Sequence, residues 1–337
     1  MELQFSGRTS GFKKYIKSLD KWLLATVVVL LALSLFAINS ATSQQEINAR
    51  CMIIQSVSIG LGFIFLFLLS KVDYDLLSDL SPYIVIIASV ALFVTALIAD
   101  DTKGNRNWLT FGPVNIQPSE FGKLCFAITM SHHLSKVGED LNRIKNIFAI
   151  CVHFAMYFIP IVLQGDIGTA LVYLGMFLVV IFVAGLQYRY FIIAGALVAC
   201  SLPILWDFLK PYQKERILYG FQPELDPLGR GFQPLVSRMA IGSGQLWGLG
   251  YENGIQSQND MLPEIQTDFI YAVVGEEAGF IGCVVVILLL LAIILLIVRN
   301  AYKAKDQKGM YICMMVASMI MWQSIMAAIA LARLFGR

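Results

Sequence analysis

Phe280-Ile-Gly-Cys-Val-Val-Val-Ile-Leu-Leu-Leu-Leu-Ala-Ile-Ile-Leu-Leu-Ile-Val298 contains no charged side chain, and Arg299 follows it. A bilayer core is crossed by about 20 apolar residues in a helix. The apolar run begins earlier, near 269, and therefore takes in Glu276 and Glu277. Further apolar stretches lie near 22–42, 51–70, 81–99, 120–134, 146–163, 168–187, 190–208 and 310–333. The fourth is short and opens with charge. About nine spans result.

The composition agrees. Hydrophobic residues make up 58% of the 337 and charged residues 14%, with a mean hydropathy of +0.71. A soluble domain is nearer roughly half and a quarter. The formal charge of +2 and the lack of a basic stripe argue against a nucleic-acid partner. The six cysteines (Cys51, Cys125, Cys151, Cys200, Cys283, Cys313) fall in or beside apolar runs, with no paired spacing, so no disulfide framework or structural zinc is suggested. The N-terminal apolar run is long and lacks an A-x-A exit, unlike a cleavable signal.

Orientation follows from Lys and Arg in short loops, which favour the cytoplasmic side. The N-terminus has Arg8, Lys13, Lys14, Lys17 and Lys21. Lys136, Arg143 and Lys145 flank the loop 136–145, Arg189 follows the sixth span, and Arg299, Lys303, Lys305 and Lys308 follow the eighth. Nine spans with the N-terminus inside place all of these in the cytoplasm. The expected fold is all-α, a polytopic transmembrane helical bundle with a long extracytoplasmic loop. It divides into a cytoplasmic N-terminal segment (1–21), transmembrane helices 1–7 (22–208), the outer loop (209–266), and transmembrane helices 8–9 (267–337). Phe221, Phe232, Leu235, Trp247 and Leu249 make the outer loop too apolar for a free linker, so it is expected to fold back onto the membrane domain.

An ionisable group at membrane depth costs at least about 2.5–3.5 kcal/mol and needs a reason. Glu120 and Lys123 lie i and i+3 on one helical face and can pair, which serves helix stability as well as chemistry. Asp166 precedes Ile167-Gly-Thr169 and suits a helix N-cap. Asp268, in Thr267-Asp-Phe269, stands where the outer loop enters the eighth span. It is either an N-cap or a base facing an outer cavity. Glu276 and Glu277 lie about 12 Å deeper. Being adjacent, they cannot share a face, so one is expected to pair with a cation and the other to reach a polar cavity. Trp108 suits an interfacial anchor, while Arg106 and Arg216 are candidates for holding an anionic headgroup. His132, His133 and His153 show no metal spacing and read as polar core residues. Ala240-Ile-Gly-Ser-Gly-Gln-Leu-Trp-Gly-Leu-Gly250 lacks the Lys-Ser/Thr ending of a phosphate loop. It reads as a turn where backbones approach closely.

Taken in order, several stretches resemble the SEDS family of bacterial cell-wall proteins. They are Gly104–Trp108, Asn115-Ile-Gln-Pro-Ser-Glu-Phe-Gly-Lys123, Gln164-Gly-Asp-Ile-Gly-Thr-Ala170, Tyr212-Gln-Lys-Glu-Arg216 and Asp226-Pro-Leu-Gly-Arg-Gly-Phe-Gln233. Ala240–Gly250, Gly254-Ile-Gln-Ser-Gln258, Leu262-Pro-Glu-Ile-Gln-Thr-Asp-Phe-Ile-Tyr-Ala272 and Gly275-Glu-Glu-Ala-Gly279 continue the series. The Gln-Ser-Gln element is nearer the RodA branch and its sporulation relatives than the FtsW branch.

The resemblance implies a peptidoglycan glycosyltransferase that polymerises lipid II on the outer face of the bacterial cytoplasmic membrane, in elongation, division or sporulation. Asp268 matches the family's essential loop carboxylate, the presumed general base. Trp108, Glu120, Lys123, Asp166 and Arg216 match positions around its central cavity, which Arg106, Glu276 and Glu277 extend. The implied partner is a class B penicillin-binding protein. The resemblance fixes no cofactor, and a divalent cation is left open. A precursor flippase and a non-catalytic scaffold are the competing readings. Gln266 and Gly165 stand where the family commonly has His and Pro. The family continues past the ninth span into a tenth helix, whereas this chain stops at Arg337, so a truncated or frameshifted end is expected and the activity of this particular chain is left open.

Overall fold

The computed structural model describes residues 19–100, 105–111, 114–208, 214–215, 218–219, 222–229, 231–259, 261 and 265–332. The helices are α1 (Lys21–Thr42), α2 (Asn48–Leu69), α3 (Tyr74–Asp79), α4 (Ser81–Ile98), α5 (Pro118–Val137) and α6 (Ile144–Leu163). They continue with α7 (Ile167–Val183), α8 (Tyr188–Phe208), α9 (Phe232–Ser243), α10 (Ile255–Gln258), α11 (Ile270–Tyr302) and α12 (Gln307–Ala332). A small antiparallel hairpin, β1 (Leu109–Phe111) and β2 (Val114–Ile116), sets Thr110 opposite Asn115. The chain is thus an all-α polytopic membrane bundle with one short hairpin.

By length and composition α1, α2, α4, α6 and α11 can each cross a membrane, while α7 and Tyr188–Ser201 of α8 are shorter apolar helices. α2 buries none of its residues, which suits a helix facing lipid. α5 is different. It contains Glu120, Lys123, His132, His133 and Lys136, and α4, α6, α7 and α12 pack around it. Its Phe126 and Met130 are fully buried with Tyr157, Tyr173 and Met315. Polar groups are tolerated at this depth because they face protein rather than hydrocarbon. The helix also outruns the expected 120–134. Pro118 suits the first turn, where its missing N–H has no helical partner anyway, and Gly138 at φ 53° ends it. The histidines are polar core residues: His133 Nδ1 lies 3.0 Å from His153 Nδ1, and His153 Nε2 lies 3.2 Å from Thr129 Oγ1.

α11 is broken at Gly279, whose φ of 66° and ψ of −164° no side-chain-bearing residue adopts comfortably. The break frees backbone groups inside the membrane domain, and the segment 245–250 takes them up in a reciprocal exchange. Phe280 and Ile281 N–H donate to the carbonyls of Gln245 and Leu246, and Leu249 and Gly250 N–H donate to those of Glu276 and Glu277. The Gly-rich 240–250 stretch is therefore the expected close-approach turn. A Cβ on Gly244 would stand 1.9 Å from Gly275 O, and one on Gly248 2.0 Å from Glu277 O.

Part of the outer loop folds back as expected. Val236 and Ala240 of α9 pack with Ile265, Ala272, Val273 and Ala41, and Phe232 lies against them. Trp247, by contrast, is exposed, and Phe221 lies outside the described residues. The described residues of the connections 43–47, 105–111, 114–117, 164–166, 244–259 and 265–269 gather at one end of the bundle.

At the other end, Asp20 caps α1 through the Trp22 and Leu23 N–H groups and meets Arg299 at 2.5 Å. Lys308 meets Asp75 at 2.5 Å. Burial opposes the charge on Asp20, but the Leu23 N–H, Arg299 and Asn300 outweigh it and hold the carboxyl below its ordinary value. A depressed carboxyl stabilises the fold above its unfolded value, and this contribution fades as pH falls through the folded one.

Gly279→Ala is expected to lower the melting temperature of the detergent-solubilised protein, with a cost of about 1–3 kcal/mol. A Cβ there would meet Gly248 N at 2.4 Å. Gly60→Ala, in the interior of α2 where nothing lies within 4 Å, is the control that should not lower melting, since Ala is the better helix former.

Candidate functional site

Three polar clusters and the carboxylate of Asp268 occupy the end of the bundle where α6 turns into α7. The first cluster centres on Asp166. Gly165, at φ 80°, lets the chain turn tightly between the two helices. Gln164 Nε2 donates to Leu92 O at 2.8 Å, and Arg106 N donates to Gln164 O at 2.8 Å. Asp166 caps α7, as its position before Ile167 suggested, with Oδ1 accepting from Thr169 N at 3.0 Å. Its Oδ2 accepts from Thr169 Oγ1 at 2.8 Å, Asn107 Nδ2 at 2.6 Å and Gln117 Nε2 at 3.0 Å. The carboxylate is buried. Arg106 and Trp108, on either side of buried Asn107, are exposed.

The second cluster is the pair on α5. Lys123 Nζ lies 2.8 Å from each carboxylate oxygen of Glu120. The ammonium side chain is 2% exposed and the carboxylate side chain 51%. Lys123 is thus a buried ammonium whose counter-ion is itself half exposed. Beside the pair, Tyr173 Oη donates to Ser119 O at 2.9 Å.

The third cluster corrects an expectation. Among the described residues, neither Glu276 nor Glu277 pairs with a cation. Glu276, fully buried, accepts from the N–H groups of Gln256 at 2.8 Å and Ser257 at 2.9 Å, and so caps α10. Ser243 Oγ adds a longer bond at 3.4 Å. Glu277 Oε1 accepts from Ser40 Oγ at 2.5 Å and Gln258 Nε2 at 3.3 Å. Gln258 also donates to Ser40 O at 3.0 Å. Burial of two carboxylates is tolerable here because donors, including helix N-terminal amides, surround the charge. The two side chains leave the helix in different directions, as adjacent positions must, and both serve to hold the outer loop against α1 and α11.

Asp268 behaves differently. It lies in the turn 265–269 immediately before α11, and Phe269 takes the N-cap position with no side-chain cap. The capping alternative therefore falls. Its side chain is exposed, and among the described residues no hydrogen bond or ion pair engages it. Ile265, 1% exposed, anchors the same turn in the apolar cluster with Ala41 and Val236. The result is a firmly held backbone presenting an unencumbered carboxylate.

The structure therefore joins Glu120 with Lys123 and Glu276 with Glu277 through shared surroundings, and brings Asp166 to the Arg106–Trp108 loop. No direct bond links Asp268 to any of them. Arg216 lies outside the described residues. Among the described residues no three His, Cys, Asp or Glu side chains converge as a metal-holding group. Residue-type reasoning passed over Asn107, Gln117, Ser40 and Gln258. Asn107, Gln117 and Gln258 sat inside stretches already singled out, but a search for ionisable groups does not weigh amides and hydroxyls.

A family model described as a cell cycle protein, spanning FtsW, RodA and SpoVE, matches residues 18–334. Peptidoglycan glycosyltransferase MrdB of Escherichia coli K12 is 33% identical over 270 residues, 79% of this chain and 71% of that protein. Stage V sporulation protein E of Bacillus subtilis 168 is 34% identical over 270 residues, 79% of this chain and 73% of its own length. A solved structure described as the structural coordination of polymerization and crosslinking by a peptidoglycan synthase complex superposes with a TM-score of 0.81. It is 26% identical and covers 94% of this chain and 88% of that one.

Glu276→Ala leaves two α10 amides without their acceptor, at a cost of about 1–3 kcal/mol for each buried group. Limited proteolysis should then cut within 244–259 faster than in the parent chain. Glu276→Gln, which keeps one acceptor oxygen, should fall between the two.

Proposed function

The chain belongs to the FtsW, RodA and SpoVE family of SEDS peptidoglycan glycosyltransferases, and from that premise we propose that it polymerises lipid II with Asp268 as general base. The observation that carries the reading is the state of that carboxylate: exposed, without a hydrogen bond or ion pair among the described residues, and carried on the turn that Ile265 anchors just before α11. Every other candidate carboxylate is engaged by hydrogen bonds or an ion pair.

In the reaction a sugar hydroxyl of one lipid-linked molecule attacks the anomeric carbon of another, and a lipid pyrophosphate leaves. The hydroxyl must lose a proton as it attacks, and a positioned carboxylate accepts it. The leaving pyrophosphate gains charge, which preorganised cations stabilise. Lys123 suits this role because, among the described residues, its buried ammonium is offset by Glu120 alone, whose exposed carboxylate a phosphate can displace. Arg106, exposed on the loop beside Trp108, suits a second phosphate contact. Arg216 stands as a further candidate on the outer loop. Both substrates are lipid-borne, so a site at one end of the bundle is where they meet.

The side of the membrane follows from charge. Arg143, Lys145, Arg189, Lys303 and Lys305 lie on or beside the connections at the Asp20–Arg299 end, and basic residues favour the cytoplasm. The Asp268 end then faces outward, where the glycan is built. The match to a peptidoglycan synthase complex supports a class B penicillin-binding protein as partner, supplying the crosslinks. Elongation, division and sporulation relatives all fit the chain.

Purified protein given lipid II should form glycan polymer, and Asp268→Asn should lower the rate by about a hundredfold or more, the usual contribution of a general base, while lipid II still binds. Retained polymerisation by that variant would sink the assignment. In a chain whose own cysteines are replaced, Asn259→Cys should react with a membrane-impermeant maleimide added to the outside of intact cells. Labelling only after lysis would place the site on the wrong side.

A further inference from the structure

Asp166 has the look of a second catalytic carboxylate, yet its geometry says otherwise. Four donors reach it: Thr169 N, Thr169 Oγ1, Asn107 Nδ2 and Gln117 Nε2, at 2.6–3.0 Å. A carboxylate offers about four lone-pair sites, so little acceptor capacity remains for a substrate proton. The donors come from three places in the chain. Thr169 belongs to α7, Asn107 to the loop between α4 and β1, and Gln117 to the residue joining β2 to α5. A second tie runs parallel, with Arg106 N on Gln164 O and Gln164 Nε2 on Leu92 O. Both ties arise from one turn, Gln164-Gly165-Asp166, and both end on the loop that carries Arg106 and Trp108. Asn107, between these two exposed residues, is buried.

We propose that Asp166, Asn107 and Gln117 form a clamp that positions Arg106 and Trp108 toward the lipid-linked substrate, and that Asp166 itself takes no part in proton transfer. The clamp bonds on both sides of the β1–β2 hairpin, at Asn107 before it and Gln117 after it, so it also sets where α5 begins. Glu120 and Lys123 sit on the first turns of that helix. Asp166 is thus a positioning residue for both cation-bearing groups. The proposal rests on the glycosyltransferase reading for what is positioned, but not for the clamp itself.

A swap of the two partners tests it. Asp166→Asn turns an amide N–H₂ toward two amide donors, and Asn107→Asp sets two carboxylates face to face, so each single variant breaks the clamp. The double variant Asn107→Asp/Asp166→Asn restores a carboxylate–amide bond with its direction reversed, and Asn remains a good N-cap for α7. Each single change should reduce kcat/KM for lipid II by about tenfold or more, mainly through KM, because a substrate contact is misplaced rather than a chemical group removed. The double variant should recover most of that loss. A double variant that stays as inactive as Asp166→Asn, while all three melt like the parent, would show that the carboxylate at 166 acts directly and would overturn the proposal.

The second readout does not depend on activity. In a chain with Trp22, Trp206, Trp247 and Trp322 replaced by Phe, Trp108 emission and acrylamide quenching report the loop. Both should change in each single variant and return in the double. Unchanged emission in the single variants would overturn the clamp, even in a chain that makes no polymer, whereas absent polymer with the expected fluorescence pattern would count against the glycosyltransferase reading alone.

Discussion

The end of this membrane domain that carries Asp166 and Asp268 depends on the exchange of backbone hydrogen bonds around Gly279. A helix broken inside hydrocarbon exposes amides and carbonyls that no water can satisfy, at a cost of several kcal/mol for each such group. Here the break is tolerated because Gln245–Gly250 supplies four matching bonds. The exchange works both ways. The loop needs the freed groups of α11 as much as α11 needs the loop, so an outer segment becomes part of the membrane domain. Only glycine fits at Gly244, Gly248 and Gly279, where backbone meets backbone.

The buried glutamates follow from the same constraint. Once the loop is drawn in, its short helix α10 presents N-terminal amides within the protein, and Glu276 satisfies them. Glu277 fastens Gln258 and Ser40 from the next position. Two charges that sequence alone would assign to a substrate path are thereby given to architecture. Asp268, at the start of the same helix, is left outside this network. The division of labour lies in hydrogen bonding: carboxylates surrounded by donors act as fastenings, while Asp268 is exposed and, among the described residues, engaged by no hydrogen bond or ion pair. Asp166, saturated by amides and a hydroxyl, belongs with the first kind.

Lys123 illustrates how a helix can be polar and still central. An ammonium at this depth is costly unless paired, and Glu120 on the same face provides the partner. α5 avoids lipid by standing between α4, α6, α7 and α12, which also sets its first turn beside the Asp166 clamp. The basic ends of the other helices collect at the far side of the bundle, so the two ends differ in charge as well as in shape.

Much was legible from the chain alone. Apolar runs of bilayer length mark α1, α2, α4, α6 and α11, because hydrocarbon imposes one solution on the backbone, whereas the ends of α5 at Pro118 and Gly138 were misplaced by its charged first turn. The ordered motifs, from Gly104–Trp108 to Gly275–Gly279, were enough to show the family. Spacing along a helix also gave the Glu120–Lys123 pair, and position gave the Asp166 cap. What sequence could not settle was the state of each polar group, since that depends on donors brought from far along the chain: Ser40 to Glu277, Asn107 and Gln117 to Asp166, residues 256 and 257 to Glu276. Whether a carboxylate is a base or a fastening is decided by how many of its lone pairs remain free, and only the folded chain determines that number.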